Sequence, residues 1–350
     1  MTTSAGDVEK FDSSKKAAIL SVVKRTVIPH TAFAAGLDRL RGALEVHTPH
    51  DVDGIPILGP SRTGKSCLSE EIIREHEPAW LDSGLERPVL RIRMPTKPTL
   101  GAVAEVLLQE LGDPQYDKGS VAARESRAGK LARKEGLMML FVEEFHQIYN
   151  PTRGEYMYAF GEFFKNFMEA SGALFVPVGL PHAEHALIHN EQLGGRMQSP
   201  IRLRRFDWRV DDDKDEFVAI LGSLEQSISA FFTLPKLSSD RIAHLMYCAT
   251  GGLVGYVSKI LDRAVKNAVL KKRLAITMDD LVKAHFEAFD EDLLPVKGIS
   301  PFDPMFSPTL DDSFYARVNN IGVRPNEAPQ KFSVGSLRGR GDFSVIPGGP

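Results

Sequence analysis

Apolar positions follow two rhythms along this chain. Between residues 55 and 206, five short apolar runs recur: IPIL (55–58), VLRIRM (89–94), LMMLFV (137–142), ALFVPV (173–178) and IRLRRF (201–206). Stretches with helical spacing separate them. Short apolar runs alternating with helices predict a parallel sheet with covering helices. Ahead of the runs, Phe33, Leu37, Leu40 and Leu44 share one face of an amphipathic helix. A short extended piece ending at Pro29 is expected before that helix, and a loose polar segment over residues 1–20. From about residue 214 to 289 the strand-like runs stop. Four segments (KDEFVAILGSLEQSISAFF, SDRIAHLMYCAT, GLVGYVSKILDRAVKNAVLKK and TMDDLVKAHFEAF) all read as helices. Thr277, with Asp280 three positions later, predicts a capping box on the last of them.

The expected organisation is therefore an α/β core over residues 21–210, a small all-helical unit over 211–292 and a flexible Pro/Gly-rich tail over 293–350. The tail carries isolated aromatics, Phe302, Phe306, Phe314, Tyr315, Phe332 and Phe343, which suit partner docking. Composition narrows the function without naming it. The chain has 350 residues, 43% hydrophobic and 25% charged, which is ordinary for a globular protein. A net charge of -3 and a pI near 6.4 argue against one strong nucleic-acid surface, so any such contact must come from a local patch or from patches repeated across an oligomer. Cys67 and Cys248 are too few and too far apart for a disulfide framework. The first residues lack the shape of a signal peptide, and no apolar run is long enough to span a membrane, so a cytoplasmic location is expected.

Candidate chemistry begins at IPILGPSRTGKS (55–66). Its frame is Gly59-x-x-x-x-Gly64-Lys65-Ser66, between a predicted strand and the predicted helix SCLSEEIIREH. Strand, glycine-rich turn and helix make a phosphate-binding loop, in which main-chain N–H groups and the helix start hold the anion. The expected nucleotide contacts are Gly59, Pro60, Ser61, Arg62, Thr63, Gly64, Lys65, Ser66 and Cys67. Lys65 is expected to reach the β- and γ-phosphates of ATP, and Ser66 to hold Mg²⁺. Because the cradle is main chain, Arg62 is expected to point outward, to solvent, to a neighbouring subunit or to DNA. Pro56 is awkward in a central strand, less so at its start. The run LMMLFV ends in Glu143-Glu144, where such proteins need carboxylates: Glu143 is assigned to the metal and Glu144 to orienting the attacking water.

Six segments occur in order: VIPHTAF, GPSRTGKS, VLRIRMPTKPTLGAVAEVLLQELGDP, LFVEEFHQIY, FKNFMEASGALFVPVGLPHAEHAL and NEQLGGRM. Together they resemble the AAA+ ATPases of multi-component DNA transposons, the TniB/TnsC type, over residues 21–290. The resemblance implies a P-loop AAA+ domain with a C-terminal helical lid and ATP-dependent assembly on duplex DNA as a ring or filament. It also implies a link between a TniQ-type target selector, RNA-guided or protein-guided, and a transposase. By the same resemblance Arg196 matches the arginine that reaches a neighbour's nucleotide. Three positions depart from the pattern: Glu143 stands where Asp is usual, Leu180 where a polar sensor is expected, and Gly255 where a lid arginine is expected, with Lys259 one turn on as a substitute. All three suggest slow hydrolysis. The alternatives are an ATP-locked scaffold and a small-molecule P-loop kinase.

For DNA, KGSVAARESRAGKLARKEG (118–136) offers Lys118, Arg124, Arg127, Lys130 and Lys134, four of them near one helix face. Arg153 is a further candidate, and Arg202, Arg204 and Arg205 are weaker ones. Contacts of this kind would be to phosphates, without sequence preference. His182, His185 and His189 have metal-like spacing but no accompanying thiol or carboxylate set, and no metal site is assigned to them.

Overall fold

Five parallel strands form the centre of a computed structural model that describes residues 13–289 and 298–323, apart from positions 27, 29, 51, 83 and 151. They are β1 (Ile57–Leu58), β4 (Val89–Arg93), β5 (Met139–Glu143), β6 (Leu174–Gly179) and β7 (Ile201–Arg202), in the order β4-β5-β6-β1-β7. Each strand coincides with one of the five apolar runs. Pro56 lies just outside β1, where its carbonyl still accepts from the Ile201 N–H at 2.7 Å.

Side chains alternate across this sheet with period two. Met139 and Phe141 of β5 join Leu174, Val176 and Val178 of β6 on one face. Helices α2 (Thr31–Glu45) and α3 (Lys65–Glu75) cover that face with Phe33, Leu37, Leu40, Leu68 and Ile72. Leu140, Val142 and Phe175 point the other way, under α4 (Leu100–Glu110), α5 (Val121–Lys134) and α6 (Gly154–Ser171). The result is a three-layer α/β/α core.

The helical unit contains α9 (Asp211–Ser229), α10 (Asp240–Thr250), α11 (Val254–Leu270) and α12 (Met278–Ala288). The Thr277–Asp280 capping box forms as expected. Two parts of the chain differ from expectation here. Residues 13–25 are helix α1 (Ser13–Arg25), not loose and then extended: Ile19 and Val23, one turn apart, are buried against the helical unit. A helix of only 13 residues draws its stability from such packing, which its own pattern does not reveal. Residues 298–323 likewise do not hang free. Phe302, Phe314, Val318 and Ile321 are buried in the same core, and α13 (Asp312–Asn319) is fixed by a Tyr247 hydroxyl donating to Asn319 Oδ1 at 3.0 Å. Phe302 and Phe314 are therefore core residues rather than docking aromatics, while Phe332 and Phe343 lie outside the described residues. A small antiparallel hairpin, β2 (Ala79–Leu81) with β3 (Gly84–Glu86), also escaped the pattern, because all of β2 is exposed and no alternation marks it. The remaining elements, α7 (Ala183–Ile188) and α8 (Glu191–Gly194), link β6 to β7. Among the described residues no helix is long and apolar enough to cross a membrane.

Candidate nucleotide site

The loop between β1 and α3 is built from main chain. Arg62 and Gly64 both take left-handed conformations, with φ of 69° and 93°. These turn successive N–H groups to one side, and among the described residues those of Arg62, Thr63, Gly64 and Ser66 meet no backbone acceptor. Such a nest, opening the first turn of an 11-residue helix, fits an anion. Gly59 is required by a close approach: a Cβ there would stand 2.0 Å from the Leu203 carbonyl oxygen. Thr63 is buried, and its hydroxyl donates to the Pro60 carbonyl at 2.9 Å, stiffening the loop. Lys65 folds its ammonium back onto the loop, donating to the carbonyls of Gly59 (2.9 Å) and Pro60 (2.7 Å). The Cys67 N–H already donates to Gly64 (2.9 Å), so Cys67 does not add a free donor to the nest. Burial, together with Glu70, Glu71 and Glu143, pushes its thiol pKa up, so it stays a protonated packing group.

The acidic end of β5 lies beside this loop because β5 and β1 flank β6 in a parallel sheet, whose strands all end on the same side. Glu143 is largely buried. Its Oε1 is 3.1 Å from the Ser69 hydroxyl, which is in turn 2.9 Å from the Ser66 carbonyl, and Arg91 approaches it at 3.7 Å. Ser69 thus links the Glu143 carboxylate to the Ser66 backbone, which sets the acidic end of β5 against the first turn of α3. Ser69 and Arg91 were not anticipated from the sequence, although Ser69 follows Ser66 by almost one helical turn. Glu144 stands in the left-handed region, with φ 58° and ψ 30°, at the start of a 3-10 turn over Phe145–Ile148. Its two oxygens face different partners, Arg93 at 4.0 Å and His146 at 3.5 Å.

The helical unit closes directly on the loop. The Gly255 N–H donates to the Arg62 carbonyl at 2.9 Å, and the Arg62 guanidinium lies over the Tyr256 ring, 5.7 Å from its centroid. Arg62 therefore faces the lid of its own chain, though its side chain remains exposed. A Cβ on Gly255 would sit 2.9 Å from the Arg62 carbonyl oxygen and 3.1 Å from its Cα, so no longer side chain fits there while this contact stands. Lys259 is not aimed at the loop. Its ammonium donates to the Ala288 carbonyl and lies over Phe289, and burial lowers its pKa, with Arg62 and Arg263 adding repulsion. Leu180 is buried after β6.

Arg196 stands elsewhere. Its carbonyl accepts from the Gly54 N–H at 3.0 Å, ahead of β1, whereas the phosphate loop follows β1. The five residue steps from Gly54 to Gly59 span about 16 Å as extended chain. Arg196 and the loop thus lie at opposite ends of the strand, and the guanidinium pairs with Glu169 of its own chain at 2.7 Å.

The basic stripe on α5 is divided. Arg124 pairs with Glu105, and Arg127 with Asp113 at 2.5 Å and with the carbonyls of Gln115 and Lys118. Both are structural clamps rather than open cations. Lys118 pairs with Asp117 at 3.1 Å. Lys130, Lys134 and Arg153 are exposed. Arg202 and Arg204 are paired with Glu184 and Asp213, both at 2.7 Å, and Arg205 donates to the Gly251 and Ile321 carbonyls. The His182 and His185 rings pack on Tyr149.

A family model described as bacterial TniB protein matches residues 19–208, more than half of the chain. The chain belongs to the TniB family. Among curated proteins no sequence matches it. Solved structures share its fold. Cdc6p from Pyrobaculum aerophilum superposes with a TM-score of 0.56 at 17% identity, over 80% of this chain and 74% of that one. The ORC2 protein of Aeropyrum pernix, in ADPNP–ADP complexes, gives 0.53 at 14% identity over 77% and 72%. Its ADP form gives 0.53 at 16% over 78% and 75%. The architecture of this TniB-family chain is thus the α/β P-loop fold of the AAA+ ATPases, with a helical C-terminal region.

Proposed function

We propose that this TniB-family chain binds and slowly hydrolyses ATP, assembles on duplex DNA, and there connects a TniQ-type target selector to a transposase. The observation that carries the reading is the convergence at one end of the sheet: an N–H nest, Lys65, and the acidic pair Glu143–Glu144. The nest and Lys65 would hold the phosphates, and Ser66 and Glu143 the Mg²⁺, whose charge neutralises the phosphate oxygens when bound. Glu144 would orient the attacking water. The adenine nucleotides in the Aeropyrum ORC2 structures support ATP as the ligand class.

Arg196, at the far end of β1, suits a role across a subunit joint rather than toward its own loop. It would have to leave Glu169 to reach a neighbour's phosphates. Oligomerisation would then complete the site, with ATP as the switch between assembled and dispersed states in the cytoplasm. Lys130, Lys134 and Arg153 are the cations available for DNA phosphates, with Lys118 at the end of the stripe. Residues beyond 323, with Phe332 and Phe343, are the proposed contact for the transposase or selector.

The test is Lys65→Ala, imaged by negative stain with duplex DNA and a non-hydrolysable ATP analogue. The wild-type chain is expected to coat the duplex and the variant to stay dispersed; a variant that still coats it refutes the switch. A second reading, an ATP-locked scaffold with negligible turnover, is favoured by one arrangement: Gly255 seals the lid against the loop where an arginine would otherwise reach in. Phosphate release with and without DNA separates the two.

A further inference from the structure

The position where AAA+ proteins of this kind are expected to carry a polar sensor is Leu180, which is apolar and buried. Glu144 nevertheless has two polar neighbours of its own. His146 Nε2 lies 3.5 Å from Glu144 Oε2, while Arg93 takes the other oxygen at 4.0 Å. The imidazole is held from several directions. Its edge meets the His182 ring at 5.4 Å and 86°, and His182 in turn packs on Tyr149 at 5.4 Å. Behind it, β6 ends at Gly179, where a Cβ would stand 3.2 Å from the His146 backbone nitrogen and 3.0 Å from the Ala183 Cβ. The end of β6 and the start of α7 thus form a close-fitting seat for His146. Glu144, by contrast, has a left-handed backbone and a half-open side chain. Left to itself such a carboxylate samples several rotamers, so a neighbour is needed to keep it in one.

We propose that His146 is a positioning residue for Glu144. Its Nε2–H directs one carboxylate oxygen, and so holds the half-open Glu144 side chain in one orientation. This rests on the functional reading above, in which Glu144 orients the attacking water. In this role His146 acts through Glu144 rather than on the nucleotide. Histidine suits the role because the donor sits at the far side of a rigid ring, and the His182 contact fixes the ring's plane.

The experiment uses the full chain with ATP, Mg²⁺ and duplex DNA, and compares His146→Ala, His146→Gln and His146→Asn. A Gln amide nitrogen superposes on Nε2, whereas that of Asn superposes on Nδ1, so only Gln keeps the donor in place. Misplacing a catalytic group by about 1 Å costs on the order of 100-fold. The Ala and Asn variants are therefore expected to lose roughly 10- to 100-fold in kcat with KM for ATP unchanged, and Gln to stay within about threefold of wild type. The lifetime of the ATP-bound assembly on DNA should lengthen by the same factor for Ala and Asn, a readout that a general loss of folding would shorten. His182→Phe, which keeps the supporting ring, should retain wild-type kcat. Equal kcat for the Ala and Gln variants, or a raised KM with unchanged kcat, overturns the proposal. A wild-type chain that releases no phosphate at all overturns the functional reading first, and this proposal with it.

Discussion

The contact between Gly255 and the phosphate loop makes a prediction that can be worked from geometry. Replacing Gly255 with Ala puts a methyl group 2.9 Å from the Arg62 carbonyl oxygen, 3.0 Å from its Cβ and 3.1 Å from its Cα. These are backbone or near-backbone atoms of a loop already held by the Thr63–Pro60 and Lys65 hydrogen bonds, so they cannot swing aside. Overpacking of this kind costs about 1–3 kcal/mol. If the loop and α11 part instead, the Gly255–Arg62 hydrogen bond is lost, at about 0.5–1.5 kcal/mol. Helix propensity acts the other way, since Ala is favoured over Gly inside a helix by up to about 1 kcal/mol. The expected net effect is a loss of about 1–2 kcal/mol, or a drop of about 1–3 °C in Tm for a chain of this length. Gly222→Ala is the control. Gly222 lies within α9 of the same unit, and its added methyl meets only Ser238 Cβ at 3.6 Å, an ordinary contact. That variant should gain up to about 1 kcal/mol. Thermal unfolding of the two variants, with hydrogen exchange at residues 60–66, reads the difference. If Gly255→Ala is as stable as Gly222→Ala and its loop amides exchange no faster, the lid does not bear on the phosphate loop as described.

Other expectations follow from the same structure. His285 is buried against Phe289 and Phe302, with Ser300 Oγ 3.1 Å from its Nδ1, and burial pulls its pKa down to about 4 from 6.5. The folded chain then binds fewer protons than the unfolded one between these values. Stability is full above pH 6.5 and should fall by up to about 3 kcal/mol as pH drops through 4, and denaturant unfolding with a His285→Gln comparison checks it. Phe302→Ala should cost about 3–5 kcal/mol, because the ring is inside the helical core; a change under 1 kcal/mol would mean that residues 298–323 are not packed as described. Arg124→Ala should destabilise by about 1 kcal/mol through its lost pair with Glu105. Lys130→Ala with Lys134→Ala should leave stability unchanged and lower the salt slope of DNA binding by about 2. A pair of lysine substitutions with no effect on that slope removes α5 from the DNA surface.

Much of this chain is legible one residue at a time. Strands β1, β5 and β6 were readable because they are buried on both faces and so appear as nearly unbroken apolar runs, while β4 and β7 show as buried apolar residues alternating with arginines. The phosphate loop was readable because glycine stands where the backbone crowds (Gly59) and at the positive φ that opens the helix (Gly64), although Arg62 takes a positive φ without being glycine. The capping box at Thr277 is a local hydrogen-bond exchange and needs no distant partner. What the sequence left undetermined depends on contacts far apart in the chain. Ile19 and Val23 are a helix face only because α9 and α11 lie over them, and Phe302 and Phe314 are core only because the helical unit has a cleft for them. Arg124 and Arg127 look like Lys130 in sequence, yet acidic partners from α4 and the following loop neutralise them. Gly255 and Arg62 are separated by nearly two hundred residues, and nothing in either segment announces that one closes on the other. Periodicity records which side of an element is dry; it does not record what makes it dry, and that second fact belongs to the tertiary structure.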